Sequence, residues 1–278
     1  MRRRGPLRKA VQTLRRQWRR QRAGVHIISY PKCGRTWLVL LIGKALQVHF
    51  DLRVRNLLRL RSMASRRRGI PYILQHHDGG PEFRAPETLQ RDKTFYRDRR
   101  VVFLVRDPRD VLVSSYFQKT RRNNDYEGTL AEYVHERVGG IETIVEFFNI
   151  WAQNRGVPRD FLLVTYEDLH RDTAGELRRV LDFLGLTGVS DTAIEAAVAY
   201  CRFDNMRSIE AENQLGTSAL AARDRGDMST YKTRKGEVGG YREHLSETDI
   251  EYIDGVIEAR LDTFYGRYRS EPASAGAE

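Results

Sequence analysis

Short apolar runs alternate with longer segments of helical pattern along most of the chain. Four runs rich in branched and aromatic residues predict buried strands: Val25 to Ser29, Tyr72 to Gln75, Val101 to Val105 and Phe161 to Thr165. Helical patterns follow near residues 36–48, 108–119, 140–155, 173–185, 190–201 and 246–265. This alternation is typical of an α/β fold, in which a central, mostly parallel sheet has helices on both faces and binds ligands at the carboxyl ends of its strands.

The turn after the first strand reads "SYPKCGRTW" and leads directly into a helical pattern. The helix start offers backbone N–H groups and positive dipole potential, and Gly34 allows the backbone to approach a ligand. An anion site and a plain connection without a ligand both fit this turn. The nucleoside-triphosphate motif G-x-x-x-x-G-K-[ST] is absent, since Lys32 precedes Gly34 by two residues. The turn therefore does not favour a metal-bridged triphosphate.

A second strand-to-helix turn lies in "VVFLVRDPRDVLVSSYFQ", residues 101–118. Asp107 is placed to cap the following helix, with proline at the first helical position. Arg106 then ends the strand, and Ser114 lies about two turns into the helix, on the side of the same crevice. An arginine fork and a hydroxyl suit a terminal phosphate. Alternatively, Arg106 pairs with Asp107 or Asp110, while Ser114 bonds to its own helix backbone.

Charge is concentrated at the N-terminus. The 278 residues carry a net charge of +11, but residues 1–22 contain ten Lys or Arg and no acid, which leaves 38 basic against 37 acidic residues in the rest. A nucleic-acid-binding protein acting through this arm is therefore one alternative reading. A stripe of Leu7, Val11, Leu14 and Trp18 suits an amphipathic helix on an anionic membrane surface. A solvated tail, or a stripe docked on its own domain, are the other interpretations.

Length and composition predict one large domain with a basic arm. We divide the chain into the arm at 1–22, a domain at 23–268 and a flexible tail at 269–278. The sequence has no apolar run of about 18 residues, no apolar segment of a secretory signal and only two cysteines. We therefore expect a cytoplasmic protein, with peripheral contact at the inner membrane surface through the arm as a hypothesis.

Five motifs, in order, resemble those of the cytosolic-type sulfotransferases, which use 3'-phosphoadenosine 5'-phosphosulfate (PAPS). "YPKCGRTW" resembles Y-P-K-S-G-T-T-W, and "RDPRDVLVSSYF" resembles R-x-P-x-D-x-x-x-S. "VTYEDL", "CRFDNM" and "RKGEVGGY" resemble three further segments of the family. The resemblance covers about residues 24–265. It implies a P-loop-like three-layer fold, PAPS as co-substrate, 3'-phosphoadenosine 5'-phosphate (PAP) as product, no required metal and no nucleic-acid partner.

The resemblance also implies roles for individual residues. The 5'-phosphosulfate would lie against the turn formed by Lys32, Cys33, Gly34, Arg35, Thr36 and Trp37, with Trp37 stacked on adenine. The 3'-phosphate would be held by Arg106, Ser114, Arg234, Lys235 and Gly236. The purine would be enclosed by Tyr166, Cys201, Phe203 and Met206. Cys33 stands where the family has serine; if it lies at a helix start among basic groups, its thiol is acidified and sensitive to oxidation.

The implied reaction is in-line transfer of a sulfonate to a hydroxyl, with a base on one side and a cation on the other. Lys32 suits the leaving oxygen. For the base, "LQHHDGG" follows a strand, and alignment with the family's K-[ST]-H-L-P selects His77, with His76 as the alternative and Asp78 available to orient an imidazole. Gln75 replaces the family's lysine.

The acceptor remains open among a small molecule, a glycolipid and a saccharide. We expect its pocket to be built largely from segments near 50–70, 78–98, 119–142 and 210–230. Within the enzyme class, the alternative is a nucleotide-dependent phosphotransferase. That class predicts magnesium dependence and a lysine of the nucleoside-triphosphate motif, which the sequence lacks.

Overall fold

The computed structural model describes residues 14, 17–224, 226–227, 230–233 and 235–269. Its centre is a sheet of four strands in the order β2-β1-β3-β4, with every neighbouring pair parallel. The strands are β1 Val25–Ser29, β2 Ile73–His76, β3 Arg100–Val105 and β4 Asp160–Thr165. The four predicted strands are confirmed, each within one residue at either end. All five residues of β1 are buried, so both faces of the sheet are covered there.

Helices connect the strands. The longer ones are α1 Arg35–His49, α3 Pro108–Phe117, α5 Ile141–Gln153, α7 Thr173–Phe183, α8 Asp191–Tyr200 and α10 Glu247–Arg260. Shorter ones are α2 Leu60–Ala64, α4 Leu130–Val134, α6 Tyr166–Arg171 and α9 Phe203–Ala211. Helix α3 continues into a π-helical segment, Gln118–Asn123. The longer helices all fall on predicted helical patterns.

The helices pack in two groups. Helix α1 packs with α7 and α8, whereas α5 packs with α3 and α10. Helix α1 is buried without a break from Leu38 to Gly43, which explains its apolar sequence on every side. Helix α5 brings Trp151 against Phe103 of β3, with ring centroids 5.3 Å apart. The result is the predicted α/β architecture, consistent with a P-loop-like fold.

Two parts of the sequence interpretation need correction or lie outside the structure. The helix predicted at 246–265 ends at Arg260, since the backbone N–H of Asp262 bonds to the Asn149 side chain at 2.7 Å and its carboxylate caps the next turn at Phe264. Of the N-terminal arm, the described residues are helical, whereas Leu7 and Val11 lie outside the described part, as does the tail beyond residue 269. Within the described residues, no helix combines the length and hydropathy needed to span a membrane.

Candidate active site

The carboxyl ends of all four strands meet at one edge of the sheet, where the two predicted turns lie. After β1, Lys32 and Gly34 both have left-handed backbone, with φ of 74° and 89°. Gly34 is the N-cap residue of α1. A Cβ at Gly34 would lie 2.6 Å from the ring of Tyr166, so only glycine fits this approach. The turn therefore places the backbone at the start of α1 directly against the ring of Tyr166, with no side chain between them.

The turn after β3 has the predicted caps. Asp107 accepts a hydrogen bond from the Arg109 backbone at 2.9 Å, and Pro108 is the first helical residue. Arg106 pairs with Asp110 at 3.1 Å and also donates to the Glu237 carbonyl at 2.7 Å. The pairing that we weighed as an alternative is therefore present, and the same guanidinium also reaches the late glycine-rich loop.

Residues 235–241 of that loop, which we call the clamp, are fastened to helix α3. The Asp110 carboxylate accepts from the backbone N–H groups of Gly239 at 2.9 Å and Tyr241 at 3.0 Å. Asp110 is almost fully buried, so these charge-assisted bonds hold the clamp firmly. Arg234, which the sequence places in this loop, lies outside the described residues.

Aromatic rings line the other side of the clamp. Gly236 has φ of 72°, and a Cβ there would lie 2.6 Å from the ring of Phe203. His170 donates from Nε2 to the Gly236 carbonyl at 2.6 Å. Trp37 contacts the rings of Tyr166 and His170 edge-on, at 5.6 and 5.7 Å between centroids. These rings form a slot between the first turn and the clamp.

His77 is held as a neutral base. A carbonyl only accepts, so Nδ1–H donates to the Ser29 carbonyl at 2.9 Å, and Nε2 must be the acceptor for the Arg35 guanidinium at 2.8 Å. Burial, followed by the charge of Arg35, holds the pKa of His77 well below its usual value of 6.5. The ring therefore carries its lone pair on the cavity side.

His76 faces away from the cavity. Its Nδ1 accepts from the Asp78 backbone N–H at 3.0 Å, so its Nε2 donates to His26 Nδ1 at 3.0 Å. The Asp78 carboxylate bonds instead to Lys93 at 2.8 Å and Tyr96 at 2.5 Å. The orienting role that we expected of Asp78 is therefore filled, for His77, by the carbonyl of Ser29.

Lys32 and Cys33 have opposite environments. Lys32 donates from Nζ to Gln118 Oε1 at 3.1 Å, and burial together with the charge of Lys232 lowers its pKa to about 7. Cys33 is fully buried, and burial raises the pKa of its thiol. The hypothesis of an acidified Cys33 thiol is therefore wrong, because the residue is fully buried and is not among those that line the cavity.

One cavity of about 470 Å³ unites the two turns, the clamp and His77. Apart from Cys33, every predicted site residue within the described part lines it: Lys32, Gly34, Arg35, Thr36, Trp37, His77, Arg106, Ser114, Tyr166, Cys201, Phe203, Met206, Lys235 and Gly236. The predicted residues come from distant parts of the sequence, and the parallel sheet brings them together.

Several cavity residues were not predicted. Among them are Glu82, Phe83, Gln118, Lys119, Asn123, His170, Leu220 and Lys232. Some fall in the segments expected to form the acceptor pocket, but no residue from 50–70 is among those that line the cavity. His170 is one helical turn beyond Tyr166, and Lys232 is two residues before Arg234. Their short spacing from these predicted residues was the signal in the sequence that could have identified them as cavity residues. In the described part of the chain, no group of three or more His, Cys, Asp or Glu side chains is arranged to hold a metal ion.

Comparison with known proteins identifies the family of this chain. A family model of the sulfotransferase domain matches residues 23–265. Sulfotransferase 2A1 of Rattus norvegicus is 26% identical over 260 residues, covering 86% of this chain and 84% of the rat protein. The structure of mouse sulfotransferase SULT7A1 in complex with PAP is similar in fold, with a TM-score of 0.62, 18% identity and coverage of 88% and 87% of the two chains. Cytosolic sulfotransferase 12 of Arabidopsis thaliana is 29% identical over 168 residues, covering 58% of this chain and 50% of the plant protein.

The fold and the matched domain define a transferase of the sulfotransferase class. The chain belongs to the sulfotransferase domain family, in its cytosolic type. It is accordingly a PAPS-dependent sulfotransferase, which moves a sulfonate group to the hydroxyl of a small-molecule acceptor and releases PAP.

Proposed function

We propose that the domain at 23–268 binds PAPS across this single cavity. The turn at residues 32–37 holds the 5'-phosphosulfate, and Arg106, Ser114 and the clamp hold the 3'-phosphate together with Arg234. The aromatic slot takes adenine, with Trp37 and Tyr166 on one side and Cys201, Phe203 and Met206 on the other. The observation that carries this proposal is that both groups of phosphate-binding residues line one cavity.

The cavity has the chemistry that a polyanion requires. Lys32, Arg35 and Lys232 line it together, and Arg35 Nη1 is buried without a hydrogen-bond partner in the described structure. Gly34 and Gly236 each leave a space between backbone and ring that a Cβ would fill. In the described structure these three side chains bond to Gln118, His77 and Ala219 and to no carboxylate, and partly buried cations in that state favour an anionic ligand.

His77 and Lys32 act on opposite sides of the reacting sulfur. When bound, PAPS supplies a sulfonate on a phosphate leaving group. His77 Nε2 takes the proton of the attacking hydroxyl, and the Ser29 carbonyl keeps hold of Nδ1–H, so the imidazolium that forms is stabilised. Lys32 donates to the departing phosphate oxygen as negative charge develops there. Its lowered pKa rises again beside that oxygen, because an opposite charge favours the ammonium form.

The segments expected to hold the acceptor contribute polar side chains to the cavity, beside Phe83 and Leu220. Glu82, Lys119 and Asn123 lie on its wall, and Glu82 Oε2 is buried without a partner in the described structure. Buried polar atoms of this kind suit hydroxyl groups better than an apolar surface. We therefore propose a polar acceptor, either a small polyhydroxylated molecule or the saccharide part of a glycan or glycolipid.

Transfer of radiolabelled sulfonate from PAPS tests these roles. A screen across phenols, alcohols, glycans and glycolipids identifies an acceptor. With that acceptor, His77→Ala and Lys32→Ala should each lower kcat by about a hundredfold or more, since general bases and charge-stabilising groups contribute on that scale. His76→Gln is the matched control and should retain most of kcat. Near-parental activity in either alanine variant removes that residue from the mechanism.

We also propose that the arm contacts an anionic membrane from the cytoplasmic side. Leu14 and Trp18 are 64% and 55% exposed, so the described part of the stripe does not dock on its own domain. The end of the arm is nevertheless joined to the domain, because Arg20 donates to Tyr96 at 3.0 Å. Surrounding arginines complement anionic lipid.

Flotation with phosphatidylserine vesicles tests this contact. Parental protein should float with the vesicles, and the double variant Leu14→Gln, Trp18→Gln should float markedly less. Equal flotation of the two proteins contradicts the proposed role of the stripe.

A further inference from the structure

Three cations line the cavity that contains His77, and one of them, Lys232, has no role assigned above. Lys32 and Arg35 belong to the first turn, and Lys232 belongs to the loop before the clamp. All three line the cavity. Like charges repel, and the Glu210 carboxylate that acts on Lys32 and Lys232 is itself paired with Arg122, so the cluster favours an anionic ligand among the three cations.

Arg35 has one half of its guanidinium engaged and one half free. Nη2 donates to His77 Nε2 at 2.8 Å, whereas Nη1 is buried without a partner in the described structure. Glu82 lies on the same cavity wall, but its Oε2 is also buried without a partner, so it does not bond to Nη1. The Nη1 side of the guanidinium is therefore available to donate to a planar or trigonal group of oxygen atoms.

Lys232 is held over the cavity by a buried carboxylate. Glu210 is fully buried and accepts from the backbone N–H groups of Lys232 at 2.6 Å and Thr233 at 2.9 Å. The same carboxylate pairs with Arg122 at 2.9 Å, and Arg122 also donates to the Thr230 carbonyl at 3.0 Å. Lys232 Nζ makes one hydrogen bond, to the Ala219 carbonyl at 3.1 Å. Two of its three donors are thus left for a ligand.

The position of Arg35 indicates which chemical group of the ligand it binds. It follows Gly34 in the turn that carries Lys32, and it touches His77. The leaving oxygen belongs beside Lys32, and the attacking hydroxyl belongs beside His77. The sulfonate lies between these two oxygens during in-line transfer. We propose that Arg35 and Lys232 bind the oxygens of the sulfonate that PAPS carries, an assignment that rests on the nucleotide site proposed above.

This assignment also explains how His77 becomes a free base. As long as Arg35 donates to Nε2, that nitrogen cannot take a proton from a hydroxyl. When Arg35 donates to the sulfonate instead, its bond to His77 Nε2 is lost and that nitrogen is released. The acceptor oxygen then forms a bond to sulfur, the bond from sulfur to the phosphate oxygen breaks, and the hydroxyl proton moves to Nε2. The products are a sulfate ester and PAP, and no oxidant or metal enters the balance.

Comparing the affinities for PAPS and PAP tests the assignment, because the two nucleotides differ only in the sulfonate. Calorimetry on the full chain without acceptor gives both dissociation constants. Lys232→Met and Arg35→Thr should each weaken PAPS binding by about tenfold or more, the scale of a charge-assisted hydrogen bond, and leave PAP binding within about threefold. Lys232→Arg and Arg35→Lys should recover most of the PAPS affinity.

Lys119→Met is the matched control, since Lys119 lines the acceptor side of the same cavity. It should leave the ratio of the two affinities unchanged. Equal losses for PAPS and PAP in both test variants, or no loss for PAPS, would overturn the sulfonate assignment while leaving the nucleotide site in place. If the parental protein binds neither nucleotide, the proposed function fails and this assignment fails with it.

Discussion

Adjacent histidines at the end of β2 have opposite environments. His76 ends the strand and His77 follows it, and successive side chains of an extended chain point to opposite sides. The motif resemblance selected His77, and the structure places that residue in the cavity. The sequence could not reveal the partners, because Ser29, Arg35 and His26 come from other segments. For the same reason the sequence could not show that the Asp78 carboxylate bonds to Lys93 and Tyr96, and that only the backbone N–H of Asp78 bonds to an imidazole, that of His76.

Binding of PAP should depend on pH through Lys32, which lies beside the 5'-phosphate that PAP retains. The pKa of Lys32 is lowered to about 7, by burial first and then by neighbouring cations. A bound phosphate raises this pKa, so affinity is complete below the free-protein value and falls as pH rises through it. Calorimetry should show PAP binding about tenfold weaker at pH 9 than at pH 7, with protons taken up on binding near pH 8. Affinity that is constant or rises over this range contradicts the assignment.

Strands and long helices were predictable because their apolar residues repeat with a clear period. The helices α2 and α4 have five residues each, too few for a period to show. Helix α9 was missed for a different reason: Glu210 occupies one of its buried positions, paired with Arg122, so a charged residue interrupts the apolar pattern. The end of α10 at Arg260 depends on a tertiary hydrogen bond to Asn149, which no local pattern encodes.

The two turns that meet the aromatic slot require glycine. Alanine at Gly34 or Gly236 would need positive φ and would place its Cβ 2.6 Å from a ring. We expect Gly34→Ala and Gly236→Ala each to weaken PAP binding by about tenfold or more, because the backbone must withdraw from the cavity. Gly156→Ala is the control, since no atom lies within 4 Å of a Cβ there. Titration of the three variants with PAP checks this, and parental affinity in Gly34→Ala would show that the close approach is not needed.

At the scale of the whole molecule, the parallel sheet explains why motifs far apart in sequence form one site. The carboxyl ends of its strands lie at one edge, and Asp110 then ties the clamp to helix α3. The order of the motifs and the pattern of strands were enough to predict that the motif residues form one site. The acceptor side was not predictable in the same way, because its polar wall is assembled from Glu82, Lys119 and Asn123, which belong to no motif.

The central claim is that one nucleotide with two phosphate groups spans the first turn and the clamp. Calorimetric titration of the purified full chain with PAP, and in parallel with 5'-AMP, tests it most directly. We predict one PAP bound per chain, with 5'-AMP at least about tenfold weaker because Arg106, Ser114 and the clamp then have no phosphate to hold. Absence of PAP binding, or equal affinity for the two nucleotides, would contradict the claim.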